Sequence, residues 1–366
     1  GMPKGVVWRH EDVFFGCLTG GDPMRLNGPV SSPAELMDRI LPDDFEFTFY
    51  ALAPLMHAAA QWVSLLWFMC GAKVVLHQGR FDALEVWRTV EREKVSTLTV
   101  VGDAMARPLL DAWEAHGPFD TSSLFAFANG GAPMALTTRA GLQEVMPAVA
   151  FTDGFGSSET GIQGSQRLEP GQAVGTAVRF DNVSAGTRVL GDDDQPVVPG
   201  SGTVGRVATC GHIPLRYHNA PEKTAEAFVE IDGTRYVVSG DMATVESDGS
   251  VVLLGRGSVS INTGGEKVYP EEVEGVVKTH PAVYDAVVVG VADDRWGQRV
   301  AVVVQPVDHD APPTLDDLRD HCHGHLAGYK APRQLVLVDS VLRSPAGKAD
   351  YRWAKAVVEA APGPVD

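Results

Sequence analysis

Between residues 45 and 150, short apolar runs alternate with stretches of helical period. TFYALAPLM, KVVLH, VSTLTVVG and LFAFANGG are the apolar runs, and DALEVWRTVEREK and MARPLLDAWEAH the helical ones. Strand and helix in alternation predict an α/β layer built on a parallel sheet. From about 170 to 255 the texture changes to short β-rich runs broken by Gly, Pro and Asp: TAVRFDN, GRVATCG, and TRYVVSGDMATVESDGSVVLLG. These predict a small antiparallel sheet or barrel, with SDGS as a hairpin turn. After GRGSVSINTGGEKVYP the order is helix (EEVEGVVKTH), strand (AVYDAVVVGVAD), strand (RVAVVVQPV), helix (TLDDLRDHCHGHL) and strand (RQLVLVD). The expected division is therefore an α/β unit over 1–168, a β-rich unit over 169–255 and a compact α+β unit over 256–366.

Composition removes several functional classes. The 366 residues, 44% of them hydrophobic, suffice for two or three ordinary cores. A formal charge of -17 argues against nucleic-acid binding, which needs a basic face to neutralise phosphates. No run of about eighteen apolar residues predicts a transmembrane helix, and the first residues lack the succession of a signal peptide. The expectation is a cytoplasmic protein. Cys17, Cys70, Cys210 and Cys322 are widely scattered, as reduced thiols are, and carry no assigned chemistry.

The stretch richest in chemistry is FTDGFGSSETG, Phe151 to Gly161. Its glycines let backbone pass close to a ligand, its serines offer hydroxyls, and Glu159 supplies a hard oxygen suited to Mg²⁺. Alone, it could be half of a dinucleotide-binding loop or a polar turn. Upstream, FAFANGGAPMA leaves an apolar strand through Gly130 and Gly131, where α/β sheets receive ligands. Downstream come YVVSGD ending in Asp241, GRGSVSINTGGEKVYPEEVE, and SPAGKADYR with Lys348.

In that order and spacing, the set resembles the adenylate-forming superfamily of acyl-CoA synthetases, peptide-synthetase adenylation domains and luciferases, across nearly the whole chain. Within it the chain is most similar to actinobacterial long-chain and sterol-related ligases, chiefly through GMPKGVVWRHEDVF. The resemblance implies ATP, Mg²⁺ and coenzyme A. It also implies that GGAP (Gly130, Gly131, Ala132, Pro133) and the backbone of Asp153, Gly154, Phe155 and Gly156 hold adenine and border the acyl pocket. Phe155 stands where Tyr is frequent. By the same likeness Ser158 meets phosphate, Glu159 holds Mg²⁺, Asp241 accepts the ribose hydroxyls, and Arg256 lies near the same sugar. Lys348 bridges acyl and phosphate oxygens. Ser258 occupies a hinge position where Asp or Lys is common, and Gly264 and Gly265 line the pantetheine channel. GMPKG, with Lys4, is similar to the end of the family's phosphate loop. Its Ser/Thr-rich half and the preceding subdomain are absent, so the expectation is a chain cut within that loop, with Met2 taken as a start codon and Gly1 left from a tag.

Each of these positions also has a plain structural reading. Asp241 could cap a turn, Lys348 could be merely solvated, and Gly264–Gly265 fits an ordinary hairpin. His57, in PLMHAAAQW with Trp62, is a candidate acyl-pocket gate or a buried histidine satisfied by backbone. HCHGH places His321 and His325 one helical turn apart, but on a helix that resembles ordinary family structure, which argues against zinc. Leu55, Met56, Trp62, Phe125, Phe127, Met134 and Phe151 are expected on the pocket side, where they suit a fatty or steroid side-chain carboxylate. The expected partners are that carboxylate, ATP and CoA, with room for peripheral membrane contact and a homodimer. The alternatives are an acyl-AMP ligase loading a carrier protein and a catalytically silent remnant.

Overall fold

The computed structural model describes residues 4–23, 27–42, 45–173, 178–344 and 347–361. Residues 1–3 of GMPKG, the first two residues of TAVRFDN, and Pro345 and Ala346 of SPAGK lie outside the described residues.

The alternating region forms a seven-stranded sheet in the order Lys73–Leu76, Thr48–Ala51, Thr97–Val100, Ala126–Gly130, Ala150–Ser157, Gly161–Leu168, Asn182–Val183. The first five strands run parallel, Gly161–Leu168 returns antiparallel, and Asn182–Val183 pairs antiparallel with it in turn. The helices Ala83–Glu93, Asp103–His116 and Leu136–Val145 cover one face and bury Trp87, Leu109 and Leu142. The Trp87 indole donates to the Leu109 carbonyl at 2.9 Å, so the largest core side chain leaves no polar group unpaired. Asp82 caps the first of these helices by accepting from the Leu84 and Glu85 amides.

This packing corrects part of the expected acyl pocket. Phe127 and Phe151 stack at 5.3 Å inside the core, and Met134 is buried with them. An apolar strand in a covered parallel sheet faces packed helices, and sequence period does not separate core from pocket there. Leu55 and Met56 are exposed instead.

The β-rich region is an antiparallel sheet of Phe228–Ile231, Thr234–Val245, Gly205–Cys210 and Thr187–Leu190, with Val251–Arg256 also paired to Thr234–Val245. SDGS turns that last hairpin, and Gly249 supplies the positive φ of +87°. In the α+β unit Val283–Asp293 pairs with Gly297–Pro306, and their side chains sort by parity. Ala286, Val288, Val300, Val302 and Val304 face the helices Pro270–Val277 and Leu315–His323. Val287, Val289, Val291, Ala301 and Val303 face the helix Tyr351–Ala360. The period of two thus fills two separate cores from one pair of strands.

One charge lies inside the first of these cores. Glu274 is buried and accepts a hydrogen bond from the Val288 amide at 2.9 Å. Burial lifts its carboxyl to about 7, against the opposing pull of Lys278. Between the ordinary value of 4.5 and about 7 the native chain therefore holds a proton that the unfolded chain has released. Stability then falls as pH rises through that window. Glu274→Gln keeps the acceptor and removes the titration, so unfolding followed at pH 5 and pH 8 should show a smaller loss than wild type, by up to about 3 kcal/mol. Identical pH dependence in the two proteins would contradict this assignment.

Candidate functional site

The carboxyl ends of the parallel strands are locked together before any ligand arrives. Asn129 Oδ1 accepts from the Gly102 amide at 2.8 Å, and its Nδ2 donates to Asp153 Oδ1 at 2.9 Å and to the Ala132 carbonyl at 3.2 Å. Asp153 pairs in turn with Arg139, and both are almost fully buried. Burial lifts the Asp153 carboxyl above the usual range, while the Arg139 charge and the Asn129 amide oppose that shift. This network holds GGAP beside FTDGFG, with Gly130 opposite Gly154. The Asp153 side chain is thus committed inward, and the Phe155 ring is buried against Phe180 at 4.5 Å. What these residues offer a ligand is backbone, as the resemblance implies. At Gly156 a Cβ would meet the Gly161 carbonyl at 2.1 Å, so only glycine fits the entry to the turn.

That turn, Ser158 to Thr160, carries Glu159. The Tyr217 hydroxyl donates to Glu159 Oε1 at 2.9 Å, and the Trp8 indole to the Ser158 carbonyl at 3.0 Å. Burial, then the bond to Glu159, raise the Tyr217 hydroxyl above its ordinary value, so it stays a donor. Val6–Val7 pairs antiparallel with Arg216–Tyr217, which puts Lys4 Nζ 4.2 Å from the centre of the Tyr217 ring. Lys4, Tyr217 and Glu159 therefore form one connected edge of the site. Sequence reasoning missed Tyr217, because it lies 58 residues from Glu159 and no local pattern links them.

Asp241 and Arg256 sit opposite each other on paired strands, with Asp241 Oδ1 3.4 Å from Arg256 Nε. Lys348 lies within electrostatic reach of both and of Glu159. Partial desolvation of its ammonium, on a residue whose surface as a whole is exposed, and the Arg256 charge lower its pKa, and Glu159 and Asp241 pull the other way. His57 begins the helix Ala58–Met69 without capping it through its side chain. Burial and the charge of Lys348 hold its pKa below the ordinary imidazole value. Trp62, one turn along, meets Trp8 edge-to-face at 6.0 Å.

Contacts thus link Lys4, Tyr217 and Glu159 on one side and Asp241 and Arg256 on the other, and Lys348 couples electrostatically to Glu159, Asp241, Arg256 and His57. Ser258 is exposed in the short turn Gly257–Val259 that follows Arg256. Gly264 and Gly265 form a two-residue hairpin turn at φ +60° and +89°, packed near Trp296 and apart from these charges. His321 bonds Thr279 Oγ1 at 2.8 Å, and among the described residues no group of three potential ligands is arranged for a metal ion.

Against known families, the AMP-binding enzyme profile matches residues 1–213 and the AMP-binding enzyme C-terminal domain matches 272–348. The chain belongs to the AMP-binding enzyme family. It is 45% identical over 97% of its length to the 3-oxocholest-4-en-26-oate–CoA ligase of Rhodococcus rhodochrous. Over 99% of its length it is 46% identical to the medium/long-chain-fatty-acid–CoA/3-oxocholest-4-en-26-oate–CoA ligase of Mycolicibacterium smegmatis. It spans 64% and 66% of those two proteins. ATP-bound MatB from Rhodopseudomonas palustris shares the fold, with a TM-score of 0.77 at 23% identity over 97% of this chain and 65% of that one. The mixed α/β fold of this chain, a parallel sheet plus separate antiparallel sheets, is thus the one that MatB shows. Among the described residues no helix is long and apolar enough to cross a membrane.

Removing one partner of the buried pair leaves the other charged and unpaired. Asp153→Asn should lower the unfolding free energy by about 3–5 kcal/mol in urea titration. A change within about 1 kcal/mol of wild type would mean that Arg139 has found another counter-ion.

Proposed function

We propose that this AMP-binding enzyme is an ATP-dependent acyl-CoA ligase that activates a fatty or steroid side-chain carboxylate as an acyl adenylate and transfers it to CoA. The reading is carried by the Asp241–Arg256 pair at 3.4 Å, whose charges, with that of Glu159, act on Lys348 of the C-terminal unit. The names of the two curated relatives support the substrate class. The cytoplasm is its proposed location, and the free cysteines support a reducing compartment. The proposed division of the chain stays at 1–168, 169–255 and 256–366.

A carboxylate attacking the α-phosphorus of ATP brings negative charge to negative charge, so the barrier falls only where fixed cations and donors meet the crowded oxygens. In this reading Lys348 donates to the acyl and α-phosphate oxygens, Lys4 and Ser158 contact the departing phosphates, and Asp241 accepts the ribose hydroxyls beside Arg256. Gly130 to Pro133 and the Asp153–Gly156 backbone hold adenine. His57 and Trp62 border the acyl group. Ser258 serves as hinge, and Gly264 and Gly265 guide the pantetheine arm. Mg²⁺ usually takes one or two carboxylates and completes its octahedron with phosphate oxygens and water. A single partly buried carboxylate, held by Tyr217 through Oε1, fits that demand. When bound there, the ion would neutralise charge on the pyrophosphate.

Lys348→Ala should lower adenylate formation by about 100-fold or more while a preformed acyl adenylate is still converted to thioester. Equal loss of both steps would count against the role. Because burial and Arg256 lower its pKa, adenylate formation should decline at a pH below the free-lysine value of about 10.4, a limb missing from use of the preformed adenylate. CoA and a holo carrier protein offered separately decide the acceptor, and thioester on the carrier alone overturns the CoA assignment. Absence of carboxylate-dependent pyrophosphate release overturns the ligase reading in favour of a silent binding protein.

A further inference from the structure

The C-terminal unit meets the α/β unit through a buried cluster of charges. Lys278, at the end of the helix Pro270–Val277, is almost fully buried. Its Nζ lies 3.4 Å from Asp103 Oδ2 across the boundary and 3.3 Å from Asp285 Oδ1 within its own unit. Arg343 donates to both Asp285 oxygens, from Nε at 2.7 Å and Nη2 at 2.6 Å. Asp285 is therefore already satisfied by a bidentate partner, and Asp103 is the counter-ion that Lys278 gains from the other unit. Beside it the Tyr284 hydroxyl donates to Asp111 Oδ2 at 2.7 Å, and Arg107 stacks over the Tyr284 ring at 5.1 Å. A cleft of about 440 Å³ flanks these contacts.

Asp103 opens the helix Asp103–His116, where the helix dipole favours an anion, and its other oxygen accepts from the Ala135 amide at 2.9 Å. The next residue, Ala104, is where the Lys348 loop lands. A Cβ on Gly347 would sit 3.0 Å from the Ala104 Cβ and 3.0 Å from the Val101 carbonyl. The counter-ion of Lys278 and the seat of the Lys348 loop are thus consecutive residues of one helix.

We propose that the Asp103–Lys278 pair is a positioning contact that docks the C-terminal unit on this helix and thereby seats Lys348 over the site. The inference rests on the ligase reading for its kinetic consequence and on geometry for its structural one. Asp103→Asn is the informative variant, because the amide oxygen retains the Ala135 hydrogen bond while the charge facing Lys278 is removed. Carboxylate-dependent ATP–pyrophosphate exchange should fall about tenfold or more, as expected when a reacting group is misplaced by an ångström, while thioester formation from a preformed acyl adenylate stays at the wild-type rate. Trypsin cleavage after the exposed Arg256, which precedes the short turn joining the units, should be faster in Asp103→Asn than in wild type when both are digested well below their unfolding midpoints. Lys278→Met should reproduce both effects from the other side of the pair. Wild-type rates in both half-reactions, or an equal fall in both, would overturn the proposal. If the wild-type protein shows no exchange with any carboxylate, the ligase reading fails. The trypsin comparison then decides the contact, since equal cleavage of wild type and variant overturns it.

Discussion

The loops after Thr97–Val100 and Ala126–Gly130 leave the carboxyl ends of parallel strands, and those ends are held by the buried Arg139–Asp153 pair with Asn129 beside it. A charge pair of this kind brings little net stability, because desolvation consumes most of the Coulombic gain. What it brings is definition. Asn129 reaches Gly102, Ala132 and Asp153 at once, so two crossings from strand to loop and the neighbouring strand share one side chain. The backbone of residues 130–133 and 153–156 is therefore held in place before any ligand is present, which is the condition for oriented polar groups to act without reorganisation.

From that fixed rim the site is completed by distant parts of the chain. Tyr217, in the β-rich region, orients Glu159, and the short pairing of Val6–Val7 with Arg216–Tyr217 carries Lys4 to the same place. Lys348 arrives from the C-terminal unit. Lys4, Arg256 and Lys348 thus lie among Glu159 and Asp241, a local gathering of cations in a chain that is strongly acidic as a whole. Net charge described the bulk surface and left this local field open.

Most of the architecture could be read from pattern alone. The parity of the valines in Val283–Asp293 and Gly297–Pro306 announces strands with two buried faces, and the alternation from 45 to 150 announces the parallel sheet. The site was legible through the order of its motifs, since no single motif distinguishes a nucleotide loop from a turn. Three kinds of residue escaped. Phe127 and Phe151 look alike as pocket wall or core, because a covered strand is apolar throughout. Arg139 is a charge on the buried face of a helix, three residues before Leu142, and its partner lies on another strand. Tyr217, Asp103 and Lys278 act through contacts between residues far apart in sequence, which no local period encodes.

The two closed cores of the C-terminal unit have an evolutionary consequence. The apolar faces of its central strands are covered by its own helices, and the unit reaches the α/β unit with polar side chains such as Lys278 and Tyr284. A module sealed in this way can be exchanged by recombination between relatives without exposing a core. Compatibility then reduces to matching a few charges on one helix. Substitutions at that seam should drift in complementary pairs, while the valines beneath it vary independently of the partner unit.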